Sequence, residues 1–457
     1  MRTRHVHIVG AGLAGALLAI LLARRGFEIS LYERRRDPRR STADRGRSIN
    51  LALAARGIAA LERAGIMERV QPLMIAMRGR MVHELGAPPV LLPYGQRARE
   101  VIYSIGRAAL NHLLIEEAAR YVNVTLRFAT ACVGVQLPHG TLELRDESGA
   151  TTLATPQGPV IATDGAGSTV RASLAQQGRV SVREEPLDHD YKELSMPAVG
   201  GHFALEPHAL HIWPRHGCML IALPNTDASL TATLFLPRSG RVSFAALGSD
   251  TDVVQFFRRE FPDALPLMPD LTREFREHPQ GHLGTIHTAP WHVDARALLL
   301  GDAAHGIVPF HGQGMNAAFE DCRFLDELLE QPGDWQTLFG RFETERREHA
   351  EAIAVMALEN YAEMRERVLE ERFLRQKSLA LELERRFPER FIPRYSMVMF
   401  HPEIAYGEAL RRGAIQQQIL DELEARTGVT GTIDYGLAER LIVERLGLRA
   451  DSPYDPG

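Results

Sequence analysis

Residues 5–33, HVHIVGAGLAGALLAILLARRGFEISLYE, decide the fold of this 457-residue chain. His5 to Val9 is a short, mostly apolar run with strand character, and Gly10, Gly12 and Gly15 follow it in the order G-x-G-x-x-G. The pattern predicts an apolar helix from Leu13 to about Arg25, then a second strand from Glu28 to Glu33. Each glycine has its own purpose. Gly10 permits a tight turn, Gly12 lets a pyrophosphate approach the backbone, and Gly15 lets the helix pack closely on the strand. The helix N-terminus at Leu13 then offers free N–H groups and partial positive charge to phosphates. Glu33 closes the second strand where an acid accepts hydrogen bonds from ribose hydroxyls. A secretory signal is excluded, because glycines interrupt the apolar run and Arg24 and Arg25 close it where a small-residue cleavage site belongs. The run is also too short to span a bilayer.

The totals describe an ordinary globular protein. Hydrophobic residues make up 45% and charged residues 24%, with a net charge of -5, which gives no reason to expect nucleic acid or an anionic membrane as partner. Three cysteines (Cys132, Cys218 and Cys322) stand apart with no CxxC pair, a pattern of reducing compartments with no structural zinc or other metal. No later segment has the apolar length of a membrane span, and the C-terminal ADSPYDPG is polar. A soluble, cytoplasmic protein is therefore expected. Its length suits two or three domains.

Beyond Glu33 lies a basic loop, RRRDPRRSTADRGR from Arg34 to Arg47, suited to phosphate or simply to solvent, with Arg34 the candidate cofactor contact. Residues 48–66 read as helix from about Leu53, residues 74–94 as strands and turns, and residues 103–119 as helix with Arg107 in its first turn. A second signpost is VIATDGAGSTVR, residues 160–171, where a buried strand runs into Asp164-Gly165 and a helix opens near Ser168. Residues 181–287 read as mainly β, interrupted by one amphipathic helix, VVQFFRREFP. The third signpost is ALLLGDAAHGIVPFHGQGMNAAFEDCRFLDELL, residues 297–329: an apolar strand, Gly301-Asp302, a glycine-broken loop, and a helix from about Gly314. From Trp335 onward the chain is helical and charged, with breaks near Pro388, Pro393 and Pro402.

Three motifs together, GAGLAG, ATDGAGSTVR and LLLGDAAHGIVPFHGQGMNAAFED, resemble the FAD-dependent aromatic hydroxylase family. The resemblance implies an α/β fold. A Rossmann-like FAD-binding domain would comprise residues 1–72, 101–180 and 288–332, with an inserted β-sheet substrate domain (73–100 and 181–287) and a C-terminal helical region (333–457). In that frame Asp164 and Gly165 form the DG motif. Asp302 can accept a hydrogen bond from a ribityl hydroxyl, and the loop before Gly314, Met315 and Asn316 offers N–H groups to the electron-rich flavin pyrimidine edge.

A narrower resemblance covers most of the chain: GRSINLAL, GRM, VIYSIGRAALN, DYKEL, HIWPR, VPFHGQGMNAAFEDC, ALENYAEMRERV and RFIPRYSMVMF look like the kynurenine 3-monooxygenases, specifically their soluble bacterial members. It implies that Arg80 and Tyr94 bind the substrate carboxylate, that Asn360 and Tyr395 complete the substrate site, and that Arg107 contacts FAD. It implies L-kynurenine, NADPH and O2 as reactants, with the flavin reduced, oxygen added to it, and the resulting hydroperoxide hydroxylating the ring. His311, ahead of the glycines, is the candidate proton relay. No second G-x-G-x-x-G appears, which argues against a separate nicotinamide domain and for a transient visit by NADPH. Rival readings are a flavin hydroxylase of another aromatic acid, a flavoprotein dehydrogenase or reductase without oxygen chemistry, and a non-catalytic FAD-binding regulatory protein. The oligomeric state, homodimer included, is open.

Overall fold

The computed structural model describes residues 3–40, 50–136, 141–367, 370–427 and 433–447. The later part of the basic loop, residues 41–47, and the C-terminal ADSPYDPG lie outside the described residues.

The opening stretch builds the centre of a six-stranded sheet. His5–Val9 pairs in parallel with Glu28–Tyr32 on one side and Val160–Ala162 on the other. Val124–Arg127 and Ala297–Leu299 extend the sheet in parallel, and the short strand His292–Val293 closes one edge antiparallel. Strands buried on both faces are mostly apolar, and Val6, Ile8, Leu298 and Leu299 are all fully buried. The helix Leu13–Arg24 is buried along nearly its whole length, from Gly15 to Ala23. It is therefore apolar all round, packed between the sheet and its neighbouring helices. The two other signposts end strands of this same sheet, so all three motifs converge on one sheet edge, where ligands of parallel sheets bind.

A second sheet of seven strands stands beside the first, in the order Gln280–Ala289, Ser181–Met196, Leu230–Pro237, Cys218–Pro224, Leu210–Arg215, Gly79–Val82, Val90–Pro93. Alternation sorts its two faces. Met219, Ile221 and Leu223 face a cavity, while Leu220 and Ala222 pack with Phe256 and Phe257 of the helix Asp250–Glu260. That double burial explains the unbroken apolar run MLIALP. The charged stretch LTREFRE forms a second helix here, Leu271–Glu277, where one was expected: Leu271 and Phe275 share a turn-spaced face and bury it in the same core.

Residues 103–106, read from sequence as the start of a helix, form instead the central strand Ile102–Gly106 of a small sheet. It pairs antiparallel with Asn50–Leu53 and Met74–Met77, and the helix begins only at Arg107. β-branched and aromatic side chains in VIYSI fit a pleated surface, and two long-range partners settle the choice. Residues 73–100 thus divide between two sheets, Met74–Met77 in the small one and Gly79–Val82 with Val90–Pro93 in the large one.

Among the described residues, five α-helices follow residue 334: Trp335–Ala362, Glu371–Arg386, Arg394–Phe400, Tyr406–Thr427 and Tyr435–Leu446. The first is anchored to the nucleotide sheet through Phe339 and Phe342, and its other end packs with Met397, Met399 and Tyr406.

Candidate active site

At the first turn, Gly10 has φ of +98° and a Cβ there would stand 2.7 Å from the Thr163 carbonyl oxygen. A Cβ at Gly15 would stand 2.0 Å from the Gly10 carbonyl oxygen. A Cβ at Gly12 would meet nothing within 4 Å, and no side chain caps the helix that opens there. The loop is thus packed tight beneath and left open above, with uncapped N–H groups facing the opening.

Glu33 is buried at the strand end. Its carboxylate accepts from Ala11 N–H at 2.9 Å and from the Arg35 N–H and Nε, each at 2.9 Å. Burial pushes its carboxyl up, but the Arg35 guanidinium and the two backbone donors outweigh that and hold it below its ordinary value. Arg35 is therefore the basic-loop residue engaged here. Arg34 is exposed and does not line the cavity. We expect Glu33→Gln to keep the fold but weaken FAD binding. A charged acceptor of a backbone N–H is worth about 1.5–3 kcal/mol, so the FAD dissociation constant should rise roughly 10- to 100-fold. Fluorescence titration of the apoprotein checks this, and an unchanged constant would show that Glu33 holds only the strand end.

The other motifs present polar atoms to the same space. Asp164 accepts from Val170 N–H at 3.2 Å through one oxygen, while its other oxygen is buried without a partner. Asp302 lines the cavity and is exposed to it. Burial raises the carboxyls of both from their ordinary values. Arg107, Gly165, Gly314 and Met315 line the cavity, whose volume is about 410 Å³. Asn316 does not. Its side chain accepts from Ala54 N–H at 2.9 Å and donates to the carbonyls of Ala52 and Gly312 at 2.8 Å. That amide ties the glycine loop to the small sheet and leaves no side-chain bond for a ligand. An open glycine cradle, an orphaned aspartate oxygen and an uncapped helix at Gly314 are the features a flavin dinucleotide would satisfy.

At the far end of the cavity stands Arg80, 7% exposed. Its guanidinium donates to Asn360 Oδ1 at 3.4 Å, lies 3.5 Å from Glu363 Oε1, and sits 5.1 Å from the Tyr395 ring centroid and 5.9 Å from that of Tyr94. Burial alone would favour the neutral form, but Tyr395, Tyr94 and Glu363 reverse that and keep it cationic. Tyr94, Tyr395 and His311 form one stack, with centroids 5.6 and 5.4 Å apart and interplanar angles of 14° and 17°. The Tyr94 hydroxyl is buried and makes no bond of good geometry, although Arg80 and Tyr395 stand close enough to perturb it. Asn360 donates to the Phe310 carbonyl at 2.6 Å, so it links Arg80 to the loop carrying His311. Arg78, the other arginine of MRGRMVH, is exposed. Burial pushes His311 down to about 3 and leaves its Nδ1 unpartnered, so its imidazole is neutral at physiological pH. It can pass a hydrogen bond along but does not enter as a cation.

Several residues of the site were not singled out by the sequence reading. Thr231, Thr233 and Phe235 line the cavity from alternate positions of Leu230–Pro237, and Phe310 stacks on Tyr361 with centroids 4.1 Å apart. The period-2 pattern in LTATLFLP was the signal available for the first three. Tyr361, Glu363 and Met364 lie within ALENYAEMRERV, but no spacing within that stretch singled them out.

The chain matches the family model described as FAD binding domain over residues 3–357. It is 47% identical over 444 residues to the kynurenine 3-monooxygenase of Xanthomonas oryzae pv. oryzae (strain MAFF 311018), covering 97% of each chain. It is 46% identical over 444 residues to that of Xanthomonas axonopodis pv. citri (strain 306), again over 97% of each. Among solved structures it resembles 2-methyl-3-hydroxypyridine-5-carboxylic acid oxygenase, with a TM-score of 0.65 at 18% identity over 80% of this chain and 94% of that one. It also resembles Pseudomonas aeruginosa PqsL in complex with 2-aminobenzoylacetate, with a TM-score of 0.63 at 20% identity over 79% and 97%. These two likenesses show the fold. No helix of the described residues is long and apolar enough to cross a membrane.

Proposed function

We propose, from the premise that this chain belongs to the kynurenine 3-monooxygenase family of FAD-dependent aromatic hydroxylases, that it hydroxylates L-kynurenine to 3-hydroxykynurenine. L-Kynurenine, O2, NADPH and a proton give 3-hydroxykynurenine, water and NADP⁺. One oxygen atom enters the ring and the other leaves as water. The observation that carries the substrate is Arg80, a buried cation among two tyrosines at the end of the flavin-sized cavity.

Gly10, Gly12, Leu13 and Gly15 would hold the FAD pyrophosphate, and Glu33 would shape that loop. Arg107, Asp164, Gly165 and Asp302 would hold the sugar and ribityl portions, and Gly314 with Met315 the pyrimidine edge. When bound, the flavin supplies hydride uptake from NADPH and activation of oxygen. The remaining work belongs to the chain. Arg80 and Tyr94 grip the α-carboxylate, the Arg by a planar two-point contact. Asn360 holds Arg80 in line, while Phe235, Phe310 and the Tyr94–Tyr395–His311 stack confine the aniline ring and exclude water. The ring amino group activates the neighbouring carbon, so no strong protein base is required. Neutral His311 is the group placed to relay a proton.

Residues 1–72, 101–180 and 288–332 form the discontinuous nucleotide domain in this scheme, with 73–100 and 181–287 as the substrate domain and 333–457 as its helical cover. A reducing, NADPH-containing cytoplasm suits this chemistry, as do the chain's free cysteines, Cys132, Cys218 and Cys322. Anaerobic mixing with NADPH tests the assignment. Flavin reduction should accelerate at least tenfold when L-kynurenine is present, because substrate must organise the site before reduction is useful. Equal rates with and without it would point to a different aromatic acid or to a flavoprotein reductase.

A further inference from the structure

Behind the Tyr94–Tyr395 stack lies a second cavity of about 180 Å³, which shares Arg80, Tyr94, His311 and Tyr395 with the first. Its outer wall is helical, formed by Glu371–Arg386, Arg394–Phe400 and Tyr406–Thr427. A flavin would occupy the glycine-loop end of the larger cavity, so the smaller one is the space that continues outward from Arg80.

The polar groups of this outer space are mostly committed. Arg394 donates to Glu359 at 2.5 Å, and Gln417 donates to Gln376 at 3.0 Å, both glutamines also bonding Asp421. Glu363 faces Arg80 at 3.5 Å. Lys377 is different. It lines the cavity half-buried, and among the described residues it makes no ion pair or hydrogen bond. Burial pushes its ammonium down to about 8, with the charge of Arg80 adding to the effect and Glu363 opposing it. A cation kept from water beside another cation gains most when an anion arrives between them.

We propose that this second cavity is an outer binding site for the carboxylate of the amino-acid substrate, with Lys377 as its cation. The carboxylate is held first by Lys377 and then passes to Arg80, which both cavities share. The zwitterion brings its own counter-charge, and Glu363 stands on the same wall to receive the α-ammonium. The inference rests on the functional reading above, and it adds a binding step that precedes the productive complex.

Steady-state turnover of L-kynurenine by the FAD-loaded wild type, Lys377→Met and Lys377→Arg tests it. Loss of a steering charge acts on association, not on chemistry. Lys377→Met should therefore raise KM about tenfold with kcat within about twofold and flavin content unchanged. Lys377→Arg, which keeps the charge, should bring KM back to within about threefold of wild type. For the decarboxylated amine, kcat/KM should be equal in wild type and Lys377→Met. An unchanged KM in Lys377→Met, or a loss shared equally by substrate and decarboxylated amine, overturns the outer site while leaving the assigned activity intact. A wild type that does not turn over kynurenine overturns the functional reading and the outer site with it.

Discussion

Arg80→Met is expected to yield a folded, yellow protein that no longer responds to L-kynurenine. Arg80 lies outside all three nucleotide motifs and lines the end of the cavity remote from the glycine loop, so flavin content and unstimulated reduction by NADPH should stay near wild type. A substrate carboxylate held there, as proposed above, would lose the buried guanidinium that pairs with it. Removing one partner of such a pair typically costs about 2–5 kcal/mol, a loss of affinity of roughly 30- to several-thousand-fold. Glu363 sharpens the effect. It is 3.5 Å from Arg80 and only 27% exposed, so without the guanidinium it presents an unbalanced negative charge to an arriving carboxylate. Arg80→Lys should fall between, because an ammonium cannot reproduce the two-point contact or keep its place over two tyrosine rings. Titration of the flavin absorbance with kynurenine measures the affinity directly. Binding as tight as wild type in Arg80→Met would remove the main support for an amino-acid substrate.

The second large effect is expected at Arg346, which touches neither cavity. Behind the Gly301-Asp302 turn, five buried ionisable groups form a chain. Arg56 contacts Glu320 at 2.5 Å, and Glu320 pairs with Arg346 at 2.7 Å, an ion pair whose angle falls outside hydrogen-bond geometry. Arg346 donates to Asp321 at 2.8 Å, and Asp321 bonds His305 at 2.7 Å and accepts from Gly301 N–H at 3.2 Å. The Arg56 guanidinium also donates to the carbonyls of His401 and Ile404, and it lies 4.0 Å over the Tyr406 ring, whose hydroxyl donates to Gln313 at 2.7 Å. The chain thus fastens the C-terminal helices to the Gly301-Asp302 turn and to the loop at Gln313. Burial pushes Glu320 and Asp321 up, and the arginines and His305 hold them below their ordinary values. Arg346→Met takes one cation from two buried carboxylates, leaving Glu320 with Arg56 alone and Asp321 with His305 and the Gly301 N–H. Breaking a buried pair from one side costs about 3–5 kcal/mol, so the melting temperature should fall by several degrees and the protein should shed FAD more readily. Arg346→Lys should recover only part, since one ammonium cannot serve both carboxylates. A melting temperature and FAD affinity equal to wild type would show that the network is incidental.

What could be read from the chain alone depended on how local the cause was. The glycine spacing at Gly10, Gly12 and Gly15 is enforced by contacts within one turn and its neighbour strand, so the nucleotide sheet was legible at once. The strand Ile102–Gly106 was not, because its partners Asn50–Leu53 and Met74–Met77 lie far away in sequence and the helix at Arg107 follows without a break. Arg80 and Tyr94 were singled out only through resemblance. Their environment, with Asn360 and Tyr395 arriving from distant helices, exists only once the C-terminal region is packed. Asn316 shows the opposite limit: a residue in the right motif can serve the loop instead of the ligand. Lys377 carried no signal, since a lysine on a charged helix looks solvated until three helices enclose it.

The central claim is insertion of one atom of dioxygen into the kynurenine ring. Turnover of L-kynurenine with NADPH under ¹⁸O2, followed by mass spectrometry of the product, tests it most directly. The product should be 3-hydroxykynurenine carrying one ¹⁸O atom, formed in step with NADPH consumed. Unlabelled product, or NADPH oxidation that yields hydrogen peroxide and leaves kynurenine intact, would contradict the account.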